Sequence, residues 1–211
     1  MSDHERQPIF NAPWPAVVAT LVIVLGYLAQ TFLPQDWLLQ TYAFSSAGFA
    51  QGRWEILFTS MFLHGNWAHA LMNGGAALAF GTPVARYFGA SPRGALIFLV
   101  FYLLCGAAAG LGYGLANPGS TTLMIGASGA VAGLVGAAAR LMGRETPGPY
   151  FSPSVVSMTI AWIAVNLLLA LVGFAPGLGD AGVAWEAHIF GYLAGLLLIG
   201  PFGRFVRPQE A

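Results

Sequence analysis

Apolar residues run along the chain in long unbroken stretches, not in the alternation of a strand or the one-sided stripe of a soluble helix. Several runs approach the ~20 residues that a helix rising ~1.5 Å per residue needs to cross a bilayer core. Proline, glycine and charge punctuate them, which predicts helices at residues 15–33, 54–80, 94–115, 125–142, 154–173 and 185–200. The expected architecture is all-α and polytopic: a six-transmembrane-helix bundle over residues 15–201, with short cytoplasmic segments at 1–14 and 202–211. The first run is read as a retained helix, because further spans follow it in place of a small-residue cleavage site. The early part of the second run carries polar residues that suit the membrane interface.

Composition sharpens this picture. Of 211 residues, 57% are hydrophobic and 8% charged, and the mean hydropathy is +0.70, so lipid is the better solvent for most of this surface. The formal net charge is zero and lysine is absent. That excludes the basic surface by which nucleic acid is held through its phosphates. The single cysteine, Cys105, lies in an apolar run, cannot form an intrachain disulfide and is expected to pack.

Charge also sets orientation. Arg6, Arg86, Arg93, Arg140, Arg144, Arg204 and Arg207 fall in the head, the second and fourth connections and the tail, which the positive-inside rule places in the cytoplasm. The other connections, at 34–53, 116–124 and 174–184, hold Asp36, Asp180 and only Arg53, and are expected outside. Helices two, four and six then enter from the outer side, with residues near their starts at similar depth.

Those starts carry the polar side chains. Imidazole and carboxamide groups inside apolar spans are costly unless they pair or line a wet cavity, so His64, His69, Asn73 and His188 become candidates for chemistry. On a helix, the four-residue step from His69 to Asn73 turns ~400° and keeps both on one face. Ser128 and His188 each stand beside small residues, Gly126, Gly129 and Gly133 in one run and Gly191 and Gly195 in the other. Small residues at four-residue spacing, including Gly106, Gly110 and Gly114, permit close helix approach. A serine hydroxyl is a poor nucleophile until a base takes its proton, and a histidine on an adjacent helix is such a base. Taken singly, Ser128 suits a packing serine bonded back to a helix carbonyl, and His69 with Asn73 suits interhelical hydrogen bonding. Their joint placement on three co-entering helices favours catalysis.

The three motifs together, GxSGxxxG at 126–133, HxxxxHxxxN at 64–73 and HxxGxxxG at 188–195, resemble the signature of the rhomboid intramembrane serine proteases. The resemblance runs roughly from Gly52 to Gly200 and implies a rhomboid-like bundle that cleaves transmembrane segments of membrane proteins. It implies Ser128 as nucleophile and His188 as general base, with His69, Asn73 and the Ser128 N–H stabilising the oxyanion and His64 helping to line the wet cavity. It further implies a bacterial-type inner-membrane protein with no cofactor, whose partners are transmembrane substrates and the lipid bilayer. Two positions depart from the family pattern. A Trp-Arg pair of the first outer loop is reversed here as Arg53-Trp54, and the aromatic residue four positions after the serine is Ala132. Orientation of His188 is then expected from packing around Gly191 and Gly195 and from neutral hydrogen bonds. No carboxylate is expected to take part: Glu186 precedes His188 by two residues, ~200° around a helix, and Asp180 lies in a glycine-rich loop.

Other classes fit less well. An inactive family member that binds transmembrane helices would usually lack the serine or the histidine. A metal or haem site from His64, His69 and His188 is disfavoured because a five-residue step on one helix separates the first two by ~140°. A transporter would be expected to show an internal repeat or an intramembrane ion pair.

Overall fold

A computed structural model describes residues 11–172 and 184–206. Arg6, Arg207 and the 174–183 part of the third outer connection, Asp180 included, lie outside the described residues. The described residues form nine α-helices: α1 (Trp14–Gln30), α2 (Gln35–Tyr42), α3 (Ser46–Ala50), α4 (Ile56–Thr59), α5 (Trp67–Phe88), α6 (Pro92–Ala116), α7 (Ser128–Leu141), α8 (Pro153–Val172) and α9 (Trp185–Gly203).

Six of these, α1 and α5–α9, correspond to the expected bundle, with one correction. The second span does not begin at Trp54. Asn66 accepts a hydrogen bond from His69 N–H at 3.0 Å, a side-chain cap that starts α5 at Trp67. The polar stretch before it folds instead as α4 and a 3-10 turn, Ser60–Phe62, anchored by Thr59 to the carbonyl of Tyr42 at 2.9 Å. At its other end α5 runs past Phe80 to Phe88. Gly81 fits closely against Leu134 and Phe98 there, and the helix stops at Gly89, whose φ is +86°. The connection at 34–53, expected outside, holds two short helices, α2 and α3, that the apolar pattern does not mark.

Solvent preference is inverted relative to a soluble bundle. Large apolar side chains face outward, Leu99, Leu168 and Leu171 being 50%, 59% and 85% exposed, while Gln30, His69, Asn73, Arg140 and Asn166 are buried. Two helices, α6 and α9, are long and apolar enough by themselves to cross a bilayer, and Trp14–Gln30, Ser128–Leu141 and Pro153–Leu169 are shorter apolar helices.

The centre of the bundle is α7, where every residue from Gly129 to Leu141 is buried. A helix buried on all sides must be built of small and apolar residues, and Ser-Gly-Ala-Val-Ala-Gly-Leu-Val-Gly-Ala-Ala-Ala is such a sequence. At 14 residues it spans ~21 Å, less than the ~30 Å hydrocarbon core, so the helix alone does not cover that thickness and irregular chain must make up the rest. Irregular chain at that depth is tolerable only when other protein satisfies it. The segment before α7 meets this condition: Phe44 and Met124 exchange two backbone hydrogen bonds of 3.0 and 2.8 Å, Ala47 N–H reaches the Ser120 carbonyl and Gly126 N–H the Ser60 carbonyl, each at 3.0 Å. The connection at 34–53 thus holds the approach to Ser128. Arg53 ties that connection together through the carbonyls of Gln40 and Thr41 and the Glu55 carboxylate, while Trp54 is 69% exposed.

Arginines gather at the opposite end. Arg86 closes α5 and bonds the Asn11 carbonyl at 2.6 Å, and Arg93 opens α6. Arg140, near the end of α7, bonds the carbonyls of Gly148 and Leu196 and lies over the Tyr150 ring. Phe202 of α9 packs on Phe88 and Phe101, which brings the end of α9 and Arg204 to the same side.

Candidate active site

Ser128 is the first residue of α7, so its N–H is one of those that have no intrahelical acceptor and carry the positive end of the helix dipole. The turn that presents it requires Gly126, whose φ is +119°, and any Cβ there would press on the His69 ring at 2.8 Å. Gly126 therefore serves the turn and the approach to His69; it is not part of a helix–helix seam.

The seam is formed by the next glycines. A Cβ on Gly191 would overlap the Gly129 carbonyl oxygen, and one on Gly195 the Gly133 carbonyl oxygen. α7 and α9 thus meet backbone to backbone at the level of Ser128 and His188. On their far side Gly129 and Gly133 leave room for Ala109 and Cys105 of α6, so Cys105 is a buried packing residue with a free thiol. Gly112 of α6, which the four-residue spacing does not mark, makes room for the Phe190 ring of α9.

Close approach brings His188 Nε2 to 2.8 Å from Ser128 Oγ. The other ring nitrogen, Nδ1, is 2.8 Å from Asn166 Oδ1 on α8. Asn166 was not singled out from the sequence, yet a lone carboxamide in the apolar run 154–173 meets the same criterion that marked the histidines. Trp162, one turn earlier on α8, lies 6.2 Å from the His188 ring and stacks on Tyr192 of α9 at 6.0 Å and 15°. Ala132 is fully buried against Tyr192, so the aromatic wall near the histidine comes from α8 and α9. Glu186 accepts from Asn117 Nδ2 at 3.3 Å.

Ser128, His188, His69 and Asn73 line one open cavity of about 780 Å³, bounded by α5, the 117–127 segment, α7 and α9. His69 and Asn73 project from consecutive turns of α5, and Asn73 Nδ2 and His69 Nδ1 are buried with no hydrogen-bond partner in the protein. Such groups lose their water without replacement and favour any acceptor oxygen that reaches them. Asn73, His69 and the Ser128 N–H thus share one cavity with the serine hydroxyl, which lies 2.8 Å from His188 Nε2.

His64 departs from expectation. It precedes α5 and is fully enclosed, not placed along the cavity: Gln30 of α1 brackets its backbone, donating to the His64 carbonyl at 2.8 Å and accepting from its N–H at 2.9 Å. Its ring lies edge-on to Tyr27 and 5.0 Å from the His69 ring, so the ~140° separation inferred for a continuous helix does not apply. The Ala127 N–H points at His64 Nε2 at 3.5 Å, which places this ring behind the residue that leads into Ser128. Among the described residues no group of three or more histidine, cysteine, aspartate or glutamate side chains converges as metal ligands would.

Comparison with known proteins agrees with the motifs. A family profile described as "Rhomboid domain" matches residues 51–205. The chain is 31% identical over 158 residues to RHOMBOID-like protein 5 of Arabidopsis thaliana. That alignment covers 74% of this chain and 46% of the plant protein, so the chain spans about half the length of the curated relative it matches.

Proposed function

The chain belongs to the rhomboid family of integral membrane proteins, and on that premise we propose that it is an intramembrane serine endopeptidase cleaving transmembrane segments of other membrane proteins. The observation that carries the proposal is the 2.8 Å contact between Ser128 Oγ and His188 Nε2, within the reach a general base needs.

In the proposed reaction His188 Nε2 takes the Ser128 proton as Oγ attacks the scissile carbonyl carbon. The carbonyl oxygen becomes an oxyanion, stabilised by hydrogen bonds from Asn73, His69 and the Ser128 N–H, which share the cavity with Ser128. His188 then donates the proton to the departing amide nitrogen, the C–N bond breaks, and an ester to Ser128 remains. A water molecule gives its proton to His188 and attacks the ester. Collapse releases the new carboxyl terminus and returns the proton to Oγ. The two residues act as a dyad: among the described residues the hydrogen-bond partners of the His188 ring are Ser128 and Asn166, and the Glu186 side chain is engaged by Asn117.

Substrate class follows from the surroundings. The cavity opens inside a bundle whose outer face is apolar, so a substrate that reaches Ser128 arrives with side chains already suited to lipid. Orientation follows from the arginines: Arg86, Arg93, Arg140 and Arg204 mark the cytoplasmic side, and the cavity lies towards the other face of a bacterial inner membrane. Residues 15–201 then form the protease domain.

The test is cleavage of a panel of single-span substrates by protein reconstituted in liposomes, compared with Ser128→Ala. Cleavage by the wild type alone supports the proposal. Substrate helices bound by both forms and cut by neither would favour the other family reading, a non-catalytic binder of transmembrane helices.

A further inference from the structure

We propose that Asn166 is the positioning residue of the catalytic base: it selects the tautomer of His188 that can accept the serine proton. The inference rests on the protease reading for its catalytic consequence, but its structural content stands on hydrogen bonds alone.

Two contacts fix the direction of the chain of hydrogen bonds. Asn166 Nδ2 lies 2.8 Å from the backbone carbonyl of Trp162, a group that only accepts, so this end of the carboxamide is the amine. The oxygen end is then the one facing His188 Nδ1 at 2.8 Å, and an acceptor there demands a proton on Nδ1. A neutral imidazole protonated at Nδ1 presents a lone pair at Nε2, the atom 2.8 Å from Ser128 Oγ. The reversed carboxamide would set two oxygens against each other at Trp162 and turn an N–H of the imidazole towards the serine. Backbone carbonyl, carboxamide, imidazole and hydroxyl therefore form one directed line, starting from α8 and ending at the nucleophile.

Burial makes this selection effective. Asn166 is 2% exposed, so water does not compete for the Nδ1 proton. Nothing else faces that nitrogen among the described hydrogen bonds. The position four residues after the serine, Ala132, contributes only a methyl group. Soluble serine proteases assign the tautomer with a carboxylate; here a neutral carboxamide does so without placing a charge inside the bundle.

The test replaces Asn166 by Leu, a residue of similar size with no acceptor, and by Asp, which keeps an oxygen opposite Nδ1. Nitrogen-15 NMR of labelled histidine in the detergent-solubilised full chain reads the His188 tautomer directly, alongside kcat and KM on a cleaved substrate and the Tm. Wild type should show Nδ1 protonated. Asn166→Leu should shift a large fraction to the Nε2–H form and lower kcat by roughly 10–100-fold with KM unchanged, and Asn166→Asp should restore the Nδ1–H form and most of the turnover. If Asn166→Leu does not fold, Asn166→Ala removes the same acceptor without adding bulk and is read identically. An unchanged tautomer in the folded variant overturns the proposal. A shifted tautomer in a protein that cleaves nothing even as wild type upholds the positioning and overturns the protease reading instead.

Discussion

Two helices flank the catalytic pair, and they hold it by opposite means. α9 meets α7 through bare backbone, Gly191 on Gly129 and Gly195 on Gly133, leaving no side chain whose rotation could loosen the fit. α8 presents mostly exposed apolar side chains, such as Ile160 and Leu168, and reaches its neighbours through a few polar contacts, Thr159 Oγ1 to the Tyr192 hydroxyl at 2.7 Å and Asn166 to His188 at 2.8 Å. Close packing sets the distance between serine and histidine, whereas hydrogen bonds from a loosely packed helix set the direction in which the histidine faces. A bilayer favours this division, because lipid competes for apolar contacts between helices but not for hydrogen bonds.

Perturbing each side in turn sharpens the contrast. Removing the chemistry at the seam should have the largest effect. Ser128→Ala and His188→Ala should each lower turnover by roughly 10⁴–10⁶-fold at unchanged Tm, and the double variant should match either single, since the two act as one unit. Loss of one oxyanion donor in His69→Ala or Asn73→Ala should cost about 10²–10³-fold in kcat with little change in KM, measured by steady-state cleavage. Wild-type rates in both would mean the oxyanion is bound elsewhere.

Gly195→Ala tests the seam itself. The added methyl meets the Gly133 carbonyl and must part the helices, so the Tm should fall by the equivalent of about 1–3 kcal/mol and turnover by about 100-fold, the cost of a ~1 Å misplacement. Gly75→Ala on α5, where a Cβ meets nothing within 4 Å, is the control and should change neither. On the α8 side, Thr159→Val deletes the hydrogen bonds to the Val155 carbonyl and the Tyr192 hydroxyl, about 1 kcal/mol each, and should reduce turnover only a few-fold. If Thr159→Val proves as damaging as Gly195→Ala, α8 carries packing that its exposed surface does not reveal. Glu186→Gln should stay within about twofold of wild type, because Glu186 bonds Asn117 while the His188 ring bonds Asn166 and Ser128.

The same division explains what the sequence could and could not reveal. Glycine spacing is a local signal, so the close approach of α7 and α9 at Gly129, Gly133, Gly191 and Gly195 is readable before any coordinates. The residue that faces His188 Nδ1 is not local: Asn166 lies 22 residues away, and only packing decides which side of α8 meets α9. The start of α5 is not legible from hydropathy because the mostly apolar stretch 54–63 merges with the span, whereas the Asn66 side chain starts the helix at Trp67 by capping the His69 N–H. His64 was assigned to the helix for the same reason. Its enclosure depends on Gln30, 34 residues earlier, a polar residue at the end of an otherwise apolar helix. The arginines, by contrast, are legible as a group in the sequence, and Arg86, Arg93, Arg140 and Arg204 lie towards one end of the bundle.

The central claim is that His188 activates Ser128 across the α7–α9 seam, and a fluorophosphonate reagent reads that activation without any substrate. Wild-type protein in detergent should acquire the phosphonyl adduct on Ser128, located by mass spectrometry of the 126–133 region, while Ser128→Ala acquires none and His188→Ala reacts at least about 10³-fold more slowly. Labelling that persists in Ser128→Ala, or proceeds at the wild-type rate in His188→Ala, would contradict the account.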